Sequence, residues 1–317
     1  MSERPWTRRA AKWVRHTLAL MLVRALQGRA WVLPDAAVLA LGRGLGWLAR
    51  SLLGSTRRQV EAQLRERLGV DADQARELGR QVFRHFGESG GEWLLMARWR
   101  RRFDTVVEAR DEDLAAFAAD YAAGRGLIFI TGHIGNWELM AQYMAYRGFR
   151  VASVARPTFD PRLTELLKRW RLSGGMRTLN RGDPSTVREM LGMFKRGEAL
   201  GILVDVDTSV PSLWVPFFGQ LAKTPRTAAD LALRTRAPVW FGYAHRTAPG
   251  RHRLHIERVP VDSTGQREVD ALCLTADLTA RIERAVRARP EQWVWMHRRW
   301  RNPPPAEVPP EKETGTA

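Results

Sequence analysis

The chain has 317 residues, 44% of them hydrophobic, and 51 basic against 34 acidic side chains give it a formal net charge of +17. That length holds one large or two modest domains with an ample core. The single cysteine, Cys273, excludes an intramolecular disulfide and a cysteine-based zinc site. The excess positive charge points to polyanionic partners: nucleic acid, an anionic membrane surface or phosphorylated substrates.

The first 16 residues carry Arg4, Arg8, Arg9, Lys12 and Arg15 against one acid, Glu3, and the apolar stretch 17–23 stops at Arg24. That stretch is too short to cross a bilayer, which takes about 20 apolar residues. No small-residue cleavage site follows it, as a signal peptide would require. Residues 31–53 are apolar apart from Asp35, Arg43 and Arg50 and read as a monotopic anchor, a helix or hairpin lying in a membrane interface. Arginines stand within three residues of Trp13, Trp47, Trp99, Trp170 and Trp300. That pairing suits headgroup depth, where the ring is half-buried and the guanidinium meets phosphate. Val60, Leu64 and Leu68 recur at helical spacing, and a second helix over 73–98 carries Leu78, Val82 and Phe83 on one face. Gly87, Gly90 and Gly91 predict a break in it.

From residue 105 strands and helices alternate. Strands are predicted at 105–109, 127–131, 151–156, 199–205 and 239–245, and 253–259 alternates apolar with polar residues as an antiparallel or edge strand does. Helices are predicted over 137–146, 161–172, 184–196 and 225–236, with Asp183-Pro184 and Thr224-Pro225 as start signals for the last two. The alternation implies an α/β fold, a mainly parallel sheet covered by helices. Three regions follow: a helical, membrane-engaging region 1–100, an α/β core 101–302, and a disordered tail 303–317 rich in proline and glutamate. Cys273, among Ala271, Leu272 and Leu274, reads as a buried, inert thiol.

The chemistry concentrates in Gly132-His133-Ile134-Gly135-Asn136-Trp137-Glu138, directly after the apolar run Leu127-Ile128-Phe129-Ile130. On one continuous helix, residues five apart point roughly 140° away from each other. His133 and Glu138 therefore converge only across a strand-to-helix turn. There His133 would be a general base, and Glu138 would accept from its other ring nitrogen and fix the tautomer. Gly132 and Gly135 allow close backbone approach, and amides at the helix start would help hold an oxyanion. Taken alone, His-x4-Glu is a loose pattern that more often marks a helix-capping segment with a structural histidine. No phosphate-binding glycine loop and no metal-ligand spacing stands out among the remaining histidines.

Further blocks accompany the motif in order: Arg156-Pro157; Leu203-Val204-Asp205 with Asp207; Val215 to Gly219 and then Thr224-Pro225; Leu231 to Val239; and Pro290 to Arg299. Together with Gly132-His133 and Asn136-Trp137-Glu138, they resemble the lipid A biosynthesis (lauroyl/myristoyl) acyltransferase family, within the lysophospholipid acyltransferases that carry His-x4-Asp/Glu. The resemblance covers most of the chain from Arg57 to Arg301, with Val206 where a glutamine is common. It implies a glycerolipid acyltransferase-like core and direct transfer of a fatty acyl chain, from acyl carrier protein or coenzyme A thioester, to a hydroxyl of a lipid A precursor. His133 and Glu138 would be the catalytic pair. Arg156, Asp205, Asn136 and Arg181 would bind substrate, Arg156 through phosphate and Asp205 by anchoring Arg156 or the acceptor hydroxyl. No metal or other cofactor is implied. The partners would be the acyl donor, a phosphorylated glycolipid acceptor and a membrane surface, at the cytoplasmic face of the inner membrane. The acyl chain would lie between the core and the N-terminal helices, and Trp293, Trp295 and Trp300 with Arg298, Arg299 and Arg301 would face the membrane. A phosphatidylinositol mannoside-like glycolipid is the alternative acceptor. A nucleic-acid-binding protein accounts for the charge but not for the pairing of His133 with Glu138, so no nucleic acid is expected.

Overall fold

The computed structural model describes residues 32–158 and 160–304, together with residues 17, 21, 24, 25, 27, 28 and 30. The basic N-terminal residues, most of the 17–23 stretch and nearly all of the proline-rich tail lie outside the described residues. The first elements described in full are helices α1 (Asp35–Leu52), α2 (Gly54–Leu68) and α3 (Ala72–Trp99). A short helix α4 (Phe103–Val106) and strand β1 (Val107–Glu108) lead into α5 (Asp111–Ala122). The core then runs β2 (Leu127–Thr131), α6 (Trp137–Tyr146), β3 (Val151–Ala155), α7 (Pro161–Ser173), β4 (Met176–Asn180), α8 (Thr186–Lys195) and β5 (Ala199–Leu203). A hairpin β6 (Ser212–Phe217) and β7 (Gln220–Pro225), helix α9 (Thr227–Thr235), strands β8 (Val239–Ala248) and β9 (Arg251–Val259), and α10 (Arg267–Ala288) complete it.

Seven strands form one sheet in the order β1-β9-β8-β2-β5-β3-β4, parallel throughout except for the β8–β9 pair. β2 lies at its centre, and all five of its residues are buried, as a strand covered on both faces demands. Its alternate side chains serve two cores. Ile128 and Ile130 join a cluster with α9, α10 and Trp293, whereas Leu127 and Phe129 join one with α5, α6 and the end of α3. The α/β class and the antiparallel 251–259 strand agree with the sequence reading.

Several local expectations do not hold. The glycines do not break α3, and two of them, Gly87 and Gly91, are where α1 crosses. A Cβ on Gly42 would lie 2.5 Å from the Gly87 carbonyl oxygen and one on Gly91 3.0 Å from that of Val38, while Gly46 and Gly87 are closed off in the same way. Residues 103–106 are helical, so the predicted strand over 105–109 shrinks to β1. Pro184 sits in a turn ahead of α8, where the Asp183 carboxylate accepts from the Ser185 amide and hydroxyl, and Pro225 closes β7. The capped proline start is Asp160-Pro161, at α7.

Cys273 is exposed, because Ala271, Leu274 and Leu278 carry the inner face of α10. Among the tryptophans with an arginine nearby in sequence, Trp47 is exposed, whereas Trp99 and Trp170 are buried. Trp293, Trp295 and Arg299 are also buried, so this cluster is core and not membrane-facing. Arg299 donates to the Thr224 hydroxyl at 2.5 Å. Among the described residues no single helix is long and apolar enough to cross a membrane. α1 and α2 pass that test only together, bent by 95° at their junction. The outward face of α1 carries Leu41, Leu45, Trp47, Leu48 and Leu52.

Candidate active site

β2 ends at Thr131, and Asn136 caps α6 by accepting from the Leu139 amide at 3.0 Å. The intervening turn carries His133. Gly135 is left-handed (φ 59°), and a Cβ there would collide with the Ala244 carbonyl, so only glycine fits. The Gly135 amide donates to the Gln292 carbonyl at 2.8 Å and the Asn136 amide to that of Ala244 at 2.9 Å.

β5 runs parallel beside β2, with Leu203 opposite Thr131, so Asp205 emerges next to His133 at the carboxyl edge of the sheet. The Asp205 carboxylate lies 2.8 Å from His133 Nδ1 and accepts from the His133 amide at 2.6 Å and from the Trp293 indole at 2.8 Å. Burial pushes its pKa up, but the facing His133 ring and these three donors outweigh that and hold it below the usual carboxylate range. An ionised Asp205 therefore fixes the His133 proton on Nδ1 and leaves Nε2 as the free base. The ring also meets Trp137 edge-on at 4.9 Å.

Glu138 does not touch that ring. It is the second residue of α6 and turns to α7, where Arg171 holds its carboxylate through two contacts, one of them 3.1 Å. The carboxylate that orients His133 is thus Asp205, which anchors neither Arg156 nor open solvent. Asn136 is also displaced from its expected role. Buried outside the cavity, it spends its side chain on the cap and on a 2.8 Å bond to Glu92.

Glu92 of α3 belongs to a buried polar network behind the turn. It accepts from Arg246 at 2.6 and 2.7 Å, from His252 at 2.9 Å and from Asn136. Burial raises its pKa, but His252 and Arg246 more than reverse this and keep it ionised. Arg246 also donates to His85 Nδ1 at 2.6 Å, which leaves His85 Nε2 to donate to the Gly135 carbonyl at 3.2 Å. Burial and the adjacent Arg246 push the His85 pKa down to about 3, so it is neutral.

One cavity of about 420 Å³ opens on this site. Its inner end is apolar and buried, lined by Phe117, Phe129, Met140, Met144, Val151 and Ala199. His133, Glu138, Arg156, Arg171, Arg181 and Arg301 line its polar part. Arg301 is held by Asp207 at 3.0 Å, whereas no acid among the described residues pairs with Arg156 or Arg181. The wall comprises the sheet, α5, α6, α7 and the segments at Val206 and His297, and no residue of α1, α2 or α3 contributes. The cavity beside His133 thus lies within the core, and among the described residues the N-terminal helices do not line it.

Sequence reasoning brought together His133, Glu138, Arg156, Arg181 and Asp205. It missed Arg171 and Glu92, which in sequence look like any helical arginine or glutamate, and it gave His297 no part.

The model of the bacterial lipid A biosynthesis acyltransferase family matches residues 8–302. The chain is similar to the lipid A biosynthesis lauroyltransferase of Escherichia coli (strain K12), 24% identical over 284 residues that cover 86% of this chain and 88% of the relative. It is 27% identical over 298 residues to the lipid A biosynthesis palmitoleoyltransferase of the same organism, covering 87% and 89%. Similarity to the phosphatidylinositol mannoside acyltransferase of Mycobacterium tuberculosis (strain CDC 1551 / Oshkosh) is 23% over 210 residues, covering 63% and 61%.

Proposed function

The chain belongs to the bacterial lipid A biosynthesis acyltransferase family, and from that premise we propose that it moves a fatty acyl chain from a thioester to a hydroxyl of a lipid A precursor. One observation carries this reading: the His133–Asp205 pair opens on a cavity that is apolar at its buried end and rich in arginine at the other. The acyl chain occupies the buried end, with its thioester beside His133. His133 Nε2 takes the proton of the attacking hydroxyl, and Asp205 holds the tautomer and stabilises the imidazolium that forms. Glu138 fixes Arg171 in the cavity wall. Arg156 and Arg181 bind the phosphates of donor or acceptor.

The exposed leucines and Trp47 of α1 rest on the membrane surface, and the net positive charge adds attraction for anionic headgroups. The site faces the cytoplasmic side of the inner membrane, where acyl carrier protein or coenzyme A thioesters are met. The test is acyl transfer by the purified protein, with each donor, to a lipid A precursor and to a phosphatidylinositol mannoside. We expect transfer to the lipid A precursor and none in His133→Ala. Transfer by His133→Ala at the wild-type rate overturns the assignment, and transfer to the mannoside alone replaces the acceptor.

A further inference from the structure

A second imidazole, that of His297, lines the cavity that holds His133. Its main chain is pinned from α2. Gln63 donates to the carbonyls of Trp295 at 2.7 Å and His297 at 3.2 Å, Gln59 donates to that of Met296 at 2.9 Å, and the His297 amide donates to Val294 at 2.9 Å. The side chain, in contrast, has no hydrogen-bond partner among the described residues, and its Nδ1 is buried. An imidazole on a pinned main chain, with neither nitrogen used by the described residues and its ring on the cavity wall, is free to meet a ligand.

The two imidazoles stand in opposite surroundings. His133 has the Asp205 carboxylate behind it, whereas no carboxylate bonds to His297, and Arg299 and Arg301 add positive charge nearby. Burial first, then His133 and these guanidiniums against the opposing pull of Asp205, push the His297 pKa below its ordinary value. His297 is therefore neutral at pH 7, with one N–H and one lone pair. A buried N–H without an acceptor is rarer than an acceptor without a donor, so its proton sits on Nε2, the nitrogen that is not sealed off. The reaction also needs a donor from somewhere. Three amides of the turn, those of His133, Gly135 and Asn136, are already taken by Asp205, Gln292 and Ala244.

We propose that His297 is a catalytic residue that donates its Nε2–H to the carbonyl oxygen of the acyl donor as that oxygen becomes an oxyanion. This rests on the reading of His133 as the base. The acceptor oxygen bonds to the carbonyl carbon, its proton passes to His133 Nε2, and the carbonyl π pair moves onto the oxygen held by His297. On collapse the C=O bond re-forms, the C–S bond breaks, and the leaving thiolate takes the proton from His133. A neutral imidazole suits the task, because it stabilises the oxyanion without protonating it.

The test compares full-length wild type with His297→Ala, His297→Gln, His297→Phe and His133→Ala. Lauroyl thioesters of acyl carrier protein and coenzyme A serve as donors, and thermal unfolding controls for folding. Loss of one oxyanion donor lowers kcat about 10²–10³-fold, and we expect that loss in His297→Ala with both KM values within roughly threefold of wild type. His297→Gln, which restores an N–H, recovers at least about tenfold of it. His297→Phe fills the space without a donor and shows the full loss even where the alanine variant unfolds. A kcat near wild type in folded His297→Ala or His297→Phe, a loss carried by acceptor KM, or a glutamine variant no better than alanine overturns the proposal. His133→Ala inactive beside an active His297→Ala sinks this inference and spares the base; an active His133→Ala sinks the base as well.

Discussion

Replacing Asp205 by asparagine separates its role from that of Glu138. One Asp205 oxygen, Oδ2, accepts from both the His133 amide and the Trp293 indole, at 2.6 and 2.8 Å. An asparagine NH2 placed there would face two N–H donors, so the amide keeps its oxygen at that point and turns its NH2 towards His133 Nδ1. That orientation forces the His133 proton onto Nε2, the nitrogen that must accept the hydroxyl proton. Loss of a positioned base and its orienting carboxylate costs roughly 10²–10⁴-fold in rate, about 3–5 kcal/mol of barrier. Because the side chain keeps its volume, the loss falls on kcat and leaves both KM values near wild type in steady-state acyl-transfer assays. Glu138→Gln acts through its guanidinium partner instead. The double variant Glu138→Gln/Arg171→Gln is expected to lose no more than the worse single variant, as contacting residues do in double-mutant cycles. An Asp205→Asn enzyme with more than a tenth of wild-type kcat would refute this role of Asp205.

Three further outcomes follow from the cavity and the network behind the turn. Gly201 lines the cavity, and a Cβ added there makes only ordinary contacts, the nearest 3.6 Å from the Ala152 carbonyl oxygen. Gly201→Leu should therefore fold and shift donor preference to shorter acyl chains by several-fold in competition assays; an unchanged chain profile would remove the acyl chain from this cavity. Glu92→Ala leaves Arg246 and His252 buried without their carboxylate, a loss on the order of 3–5 kcal/mol that denaturant melts will register, and a change below about 1 kcal/mol would mean the network is not closed. His85 has a folded pKa near 3 against 6.5 unfolded, so below pH 6.5 the unfolded chain binds the extra proton. The stability tied to neutral His85 is full above pH 6.5 and falls by about 2 kcal/mol at pH 5. Unfolding midpoints should show that slope in wild type and a flatter one in His85→Gln; parallel curves would assign the acid sensitivity elsewhere.

The central strands were legible because their burial is written as unbroken apolar runs. Leu127–Thr131 and the helix Trp137–Tyr146 fall where the sequence places them. Edge and hairpin strands were not: Met176–Asn180 mixes an arginine, a threonine and an asparagine into a half-buried edge. The β6–β7 hairpin turns at Phe218 and Gly219, both with positive φ, where a phenylalanine gives no turn signal. Thr275 and Thr279 on the buried face of α10 blurred its apolar stripe, and each instead bonds a carbonyl one turn back. His133 was legible as a candidate site residue because it follows a buried strand at a glycine-containing turn and belongs to an ordered set of motif blocks. Its true partner was not, because Asp205 is 72 residues away and reaches it only through the adjacency of β2 and β5. Glu138 drew attention by nearness in sequence, which says nothing about where a side chain on the first turn of a helix points.

The meeting of Gly42 and Gly46 with Gly87 and Gly91 bears on how α1 is fastened. Most helices stay docked because water expels their apolar faces, and that force vanishes when lipid replaces water. Here two main chains touch directly, a contact made of close packing and dispersion that survives the change of solvent. A helix fastened this way can turn its outer leucines from one medium to the other without letting go of the body beneath it. The packing of α1 on α3, the helix that backs the His133 turn, would then be the same in either medium.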